Sequence, residues 1–363
     1  MVRSHKIRIY PTREQEVQLK KTVGTVRYAY NWGLTRWELQ YEEFKTGKRT
    51  AKPSANSLIK EWAIEKPEWA HEVAMKPQQR AFFNLWKAYV NFFKGKTNRP
   101  TYHKKGVRDC FYCPNDTVKW FPNKRISIPG VGRVKLSEEL RFSGKIMSYN
   151  VSTFANKWYV SVSVELQEMT GDTPDTIIGI DVGLDNPAWD SDNNHLQLPE
   201  KDLEKLEKKL KRAQKALSRS QRNSHNRARR ALKKQKVQDR INNIRSDVTH
   251  KYTTKVCKNH ATVVIEDLDI EGMIKDAPRR SIRRGYNASL MRTVLYQLSY
   301  KAKKLVKAPR FFPSSKTCSH CGAIKSDLTV KQRVYKCPSC GLEIGRDYNA
   351  ALNLMKIGLV KSE

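Results

Sequence analysis

The chain has 363 residues, enough for two or three domains and a sizeable buried core. Its 70 Lys and Arg stand against 36 Asp and Glu, a formal charge of +34. Such a surplus repels itself unless a polyanion is bound, so nucleic acid is the first partner to consider. A basic ribosomal or membrane-surface protein is the plainer alternative. No apolar run reaches membrane-spanning length and "MVRSHKIRIYP" lacks the form of a signal peptide, so no membrane association is expected. The expected location is the cytoplasm, at the nucleoid in a prokaryote.

The first eleven residues alternate like a short strand ending at Pro11. From Thr12 to about Lys94 apolar and aromatic residues recur at helical spacing, as in "LKKTVGTVRYAYNWGLTRWEL" and "RAFFNLWKAYVNFF", with "KTGKRTAKPSANS" between them. Most of these aromatics read as core. Over 98–166 the period changes to two in "RISIPGVGRVKL" and "KIMSYNVSTFANKWYVSVSVEL", with turns at Pro129-Gly130 and Ala155-Asn156. These predict a small antiparallel sheet or barrel. "QEMTGDTPD" reads as a polar linker.

The second half reads as an α/β unit. "TIIGIDVG" and "ATVVIEDL" are apolar runs typical of strands buried on both faces. "NPAWDSDNNHLQL" reads as a hairpin turning near Asp192-Asn193-Asn194. Leu203, Leu206, Leu210, Ala213 and Leu217 keep the spacing of a paired-helix seam. From Lys201 to His250 there are 17 basic residues against 5 acidic, an excess that favours phosphate contact over a merely solvated face. Arg219, Arg222, Arg227, Arg229 and Arg230 lie in "SRSQRNSHNRARR" within it. After a basic stretch, "KDAPRRSIRRGYN", a helix is expected around "LMRTVLYQLSYKAKKL", and the chain closes on "RDYNAALNLMKIGL".

Seven cysteines include C-x2-C-x15-C-x2-C at Cys318, Cys321, Cys337 and Cys340, the pattern of a closed zinc site. Cys110 and Cys113 form a further C-x2-C with no second pair, in strand-like sequence where residues three apart face opposite ways. Cys257 reads as a small buried filler. Asp181 and Glu266 each end an apolar strand, and Asp347 heads the last helix. Each alone is more often a turn residue or a cap. Together they form a set that binds Mg²⁺ or Mn²⁺ if the fold brings them to one sheet edge.

"GIDVGLDNPAWDSD", "VVIEDLDIEGM", "FFPSSKTCSHCG" and "CGLEIGRDYNAALNLM" resemble the three RuvC motifs and the zinc ribbon of TnpB proteins, transposon-encoded RNA-guided nucleases related to type V CRISPR effectors. The likeness extends to "KIRIYPTREQEVQLKKTVGTVRYAYNWGL" and to the basic helical insert, and so covers nearly the whole chain. It implies an α/β RuvC-like nuclease domain of RNase H fold with inserted helices and a zinc ribbon, preceded by a helical recognition domain and a β-rich wedge domain. The implied boundaries are a first wedge strand at 1–11, recognition domain 12–97, wedge 98–170, and RuvC-like core 175–312 with the insert at 200–255. The ribbon would span 313–342 and the last motif 343–363. The resemblance implies Asp181, Glu266 and Asp347 as catalytic acids holding Mg²⁺, and one structural Zn²⁺ on the four cysteines. It also implies a guide RNA and double-stranded target DNA as partners. "KPQQRAFFNLWKAYVNFF" is similar to the family's recognition helix. Gln79 is then the candidate base reader, with Lys76 and Arg80 on phosphates and Arg346 beside the scissile strand. Gly345 stands where relatives usually carry an acid. A nuclease-inactive RNA-guided binder and a strand-transferring transposase are the rival readings. The intact acid set argues against the first, and so large a basic insert against the second.

Overall fold

A computed structural model of the protein describes residues 2–107, 109–117, 119–166, 174–329 and 332–360. The expected linker "QEMTGDTPD" falls mainly at 167–173, outside the described residues. The chain divides into two units, 1–170 and 171–363.

In the first unit, β1 (Val2–Tyr10) turns Ile7 and Ile9 inward. Thr12 then starts α1 (Arg13–Lys45) through a reciprocal cap with Gln15. The basic interruption ends at Ser54, which caps α2 (Ala55–Glu65), and α3 (Met75–Phe93) follows. Leu34, Trp37, Leu58, Trp62, Phe82 and Leu85 pack together, so most of these aromatics are core, as expected. Tyr28, Trp69, Trp86 and Phe93 are the exceptions, each about half exposed.

The next strands are β2 (Cys110–Pro114), β3 (Lys119–Phe121), β4 (Arg125–Ile128), β5 (Gly132–Leu136), β6 (Lys145–Phe154) and β7 (Lys157–Glu165). With β1 they form one antiparallel sheet in the order β2-β6-β7-β1-β5-β4-β3. Its two edge strands are joined by residues 115–118, which span at most about 18 Å. Seven flat strands would set those edges about 29 Å apart, so the sheet must curl towards a barrel. Ala155 and Asn156, both at positive φ, make the β6–β7 hairpin turn. Cys110 and Cys113 do face opposite sides of β2, and burial pushes the Cys113 thiol up to about 12. Leu19 and Val23 of α1 enter the sheet core while its later residues enter the helical one, so α1 roots both.

The second unit is built on β8 (Ile177–Asp181) and β9 (Trp189–Asp190), then α4 (Glu200–Ser218), α5 (His225–Asn259) and β10 (Thr262–Ile265). Next come α6 (Ile270–Lys275), α7 (Arg280–Ala288), α8 (Met291–Lys301) and β11 (Lys304–Lys307). The ribbon strands β12 (Val334–Lys336) and β13 (Glu343–Gly345) precede α9 (Arg346–Val360). The sheet order is β11-β10-β8-β9, the first three parallel. One expectation changes. The helix expected to run through Leu305 stops at Lys301, because Ala302 is extended and 304–307 complete the free edge of β10. The basic stretch "KDAPRRSIRRGYN" is largely helical, in α6 and α7. Leu203, Val237 and Ile241 form the α4–α5 seam, with Leu206 and Leu210 partly buried against it. The last turns of α5 pack Val256 and Tyr252 onto the sheet, so that helix serves both the insert and the core.

Candidate functional site

The β8–β10 register pairs Ile180 with Ile265. The next residue on each strand is an acid, Asp181 and Glu266, at the same edge of adjacent parallel strands about 4.8 Å apart. The third acid arrives on α9, which lies directly on β8. A Cβ added to Gly179 would sit 2.1 Å from the Ala351 carbonyl oxygen and 2.5 Å from the Met355 nitrogen. Only glycine allows that approach, and it brings Asp347, in the first turn of α9, to the strand edge.

The electrostatics follow from this convergence. Burial, then the charges of Glu266 and Asp347, push the Asp181 carboxyl up to about 8, with Arg346 opposing. The other two acids are held by neighbours. Asn186 donates to Asp347 Oδ2 at 2.6 Å, and Arg346 donates to its Oδ1 at 3.1 Å and 2.9 Å. The Ser314 hydroxyl donates to Glu266. Sequence reasoning missed Asn186 and Ser314 as site residues. Both lie inside quoted motifs, in "GLDNP" and "FPSSK", which was the only signal available.

The cysteines converge as expected. Cys318 and Cys340 have sulfurs 3.6 Å apart, and Cys321 and Cys337 3.5 Å. A ZnS₄ tetrahedron with bonds of about 2.3 Å has edges of about 3.8 Å, so the set fits zinc. Two like turns build it. Gly322 and Gly341 follow the second cysteine of each pair at φ +78° and +76°, each donating to the first cysteine's carbonyl oxygen. The Cys340 N–H donates to Cys337 Sγ at 3.5 Å and helps lower the Cys337 thiol to about 6. Among the described residues, this is the one group of three or more Cys, His, Asp or Glu whose ligand atoms all lie within 4.8 Å of one another.

The ribbon is clamped to α9. Buried Asn349 accepts from the Ser319 N–H at 2.9 Å and donates to the Thr317 carbonyl at 2.7 Å. Asn353, one turn later, donates to the Ser314 and Thr317 carbonyls. The metal knot and the helix carrying Asp347 are therefore joined through buried amides.

The expected nucleic-acid residues are divided between the two units and differ in their surroundings. Gln79 is partly exposed on α3 and makes no side-chain hydrogen bond among the described residues, while its neighbour Gln78 is buried against Trp62 Nε1 and the Ala70 carbonyl. Lys76 pairs with Asp116 at 3.0 Å. Arg80 lies over the Phe83 and Tyr112 rings rather than in solvent. Arg227 donates to the Leu217 and Ser220 carbonyls and Arg230 to the Ala216 carbonyl, so both cap the end of α4. Arg219, Arg222 and Arg229 are exposed.

Among the described residues no helix is long and apolar enough to cross a membrane. A family model described as "Probable transposase" matches residues 161–277, and one described as "Cas12f1-like, TNB domain" matches 288–354. A third, described as "Helix-turn-helix domain", matches 1–46. In this chain those residues hold a strand and a single long helix. The chain is 29% identical to InsQ of Escherichia coli K12, named as a candidate RNA-guided DNA endonuclease, over 98% of this chain and 92% of that one. It is 26% identical to the CRISPR-associated endodeoxyribonuclease Cas12f1 of Sulfoacidibacillus thermotolerans, over 55% of this chain and 50% of that one. A Cas12f1 solved with single guide RNA and target DNA shares the fold at a TM-score of 0.54, with 13% identity and 98% of both chains covered. Matched in turn by these models and similar over nearly its whole length to InsQ, the chain resembles the TnpB family.

Proposed function

We propose that the protein is an RNA-guided DNA endonuclease whose catalytic carboxylates are Asp181, Glu266 and Asp347. The observation that carries the reading is the convergence of these acids at one sheet edge, close enough that Glu266 and Asp347 help drive the Asp181 carboxyl to about 8. Acids that raise one another's proton affinity are stabilised by a divalent cation. Three carboxylates at one strand edge are a donor set of the kind that holds two divalent ions where phosphodiesters are hydrolysed.

When bound, two Mg²⁺ or Mn²⁺ ions would supply an activated water and neutralise charge on the leaving oxygen of a phosphodiester. The chain's own part is placement. Gly179 admits α9 against β8, Asn186 orients Asp347, and Ser314 orients Glu266. Arg346, bound to Asp347 at rest, is placed to turn to the phosphate of the cut strand. The four cysteines hold a structural Zn²⁺ in a closed site with no position open for chemistry. In this reading 12–97 and 98–170 serve as recognition and wedge segments, with Gln79 facing the duplex beside the target. Base pairing by a guide RNA, held by the basic insert, supplies the remaining specificity. Exposed Arg219, Arg222 and Arg229 are among the insert's cations open to phosphate.

Sequencing the RNA that copurifies with the protein, then incubating matching DNA with Mg²⁺, tests this reading. Asp181→Ala is expected to abolish cutting and leave RNA binding intact. Cutting by that variant at the parent's rate would overturn the active-site assignment. Strand joining without copurifying RNA would favour a transposase.

A further inference from the structure

Between β11 and the ribbon the chain forms an arch with both feet on the acid site. At one foot the Ala308 N–H donates to the Ile265 carbonyl at 2.8 Å, and at the other the Ser314 hydroxyl donates to Glu266. The crown is a tight turn, in which the Phe312 N–H donates to the Pro309 carbonyl at 3.1 Å. Phe311 is its third residue and has φ of +67°. Type II turns take glycine or asparagine there, because a Cβ makes that backbone strained. A strained aromatic is ordinarily repaid by burial, yet Phe311 is 91% exposed. None of the large apolar side chains described is more exposed, so core packing does not account for this residue.

The ring lines a 430 Å³ cleft together with Glu266, Asp269 and Arg310. The Arg310 guanidinium lies 5.7 Å from its centre. Lys307 pairs with Asp267 at 2.7 Å and Arg310 with Asp269 at 3.4 Å, so the cations at the rim are already matched by acids. A floor rich in carboxylates repels phosphate but accepts hydrogen bonds from base amino groups.

We propose that Phe311 is a stacking platform for an unpaired nucleobase of the strand cut at the acid site, and so a positioning residue for that strand. The inference rests on the nuclease reading. Stacking is indifferent to sequence, since every base offers a π face. The arch's feet at residues 265 and 266 tie the stacked base to the carboxylate edge, where the scissile phosphate must come, while the other phosphates stay outside the acidic cleft.

The test uses the protein with its copurified RNA, carrying Asp181→Ala, in magnesium-free buffer. Single-stranded DNA with 2-aminopurine at successive positions reports stacking as quenched fluorescence. Phe311 and Phe311→Trp are expected to quench at the same position. Phe311→Gly, which also relieves the backbone strain and should melt no lower than the parent, is expected to lose the quench and bind roughly ten-fold more weakly. In the chain with Asp181 intact, Phe311→Gly should slow cutting and Phe311→Trp restore it. Unchanged quenching and affinity in Phe311→Gly would overturn the proposal. A parent that quenches but never cuts supports the platform and defeats the nuclease reading instead.

Discussion

Gly179→Ala perturbs the site without touching any acid. The added methyl would lie 2.1 Å from the Ala351 carbonyl oxygen, 2.5 Å from the Met355 nitrogen and 3.1 Å from the Leu354 carbonyl carbon. All three are backbone atoms, so no side-chain rotation relieves the clash. Strand β8 is fixed from both sides, by β10 and by Ser191, whose N–H donates to the Gly179 carbonyl and whose hydroxyl accepts from the Gly179 N–H. The helix must therefore give way, by about 1.3 Å to restore ordinary contact at 3.4 Å. Asp347 lies one turn before Ala351 on the same rigid helix and moves with it. A misplacement of about 1 Å costs on the order of 100-fold in rate. The overpacking costs about 1–3 kcal/mol, which lowers the melting temperature by about 2–4 °C per kcal/mol in a unit of this size. Single-turnover cutting of guide-matched DNA and thermal melting measure the two effects. Gly345→Ala is the control, because its added methyl meets only Tyr348 Cβ at 3.9 Å. Gly179→Ala cutting at the parent's rate would refute the claim that backbone contact between α9 and β8 sets Asp347.

Cys337→Ser is expected to cost the protein its zinc and open the ribbon to protease, because structural zinc contributes folding energy directly. Cutting should fall with it, since Asn349 and Asn353 tie the ribbon to α9; zinc content and proteolysis check this, and a zinc-free, fully active variant contradicts it. A pH effect follows from Asp181, whose carboxyl is raised from 3.8 to about 8 by burial and the neighbouring acids. The folded, magnesium-free protein holds this proton where the unfolded chain has lost it, so the group's stabilising effect is complete below about pH 4 and declines up to about pH 8. Asp181→Asn should therefore melt increasingly above the parent across that window in magnesium-free buffer. Added Mg²⁺ should narrow the gap, and a difference that does not vary with pH would count against the coupling.

Much of this protein is written in local pattern. An apolar run must be buried on both faces, so "IIGID" and "TVVIE" announce central strands whose terminal acids emerge together at one edge. Paired C-x2-C turns announce a metal knot, and the seam from Leu203 to Leu210 announces a helix pair. Chain-local chemistry suffices for these because periodicity and thiolate spacing act over a few residues. Other features depend on which partner a segment meets. Lys304 and Leu305 read as the tail of a helix, and only the open edge of β10 makes 304–307 a strand. Arg227 and Arg230 carry the same charge as Arg219 and Arg229, yet the α4–α5 turn aims them at carbonyl groups. Gly179 reads as one more residue of a strand until α9 lies across it. Composition and motif thus pointed to the class of chemistry and to the three acids proposed to carry it. Tertiary packing decided which groups hold those carboxylates, because hydrogen bonds and close contacts between segments 48 residues or more apart leave no periodic trace in the chain.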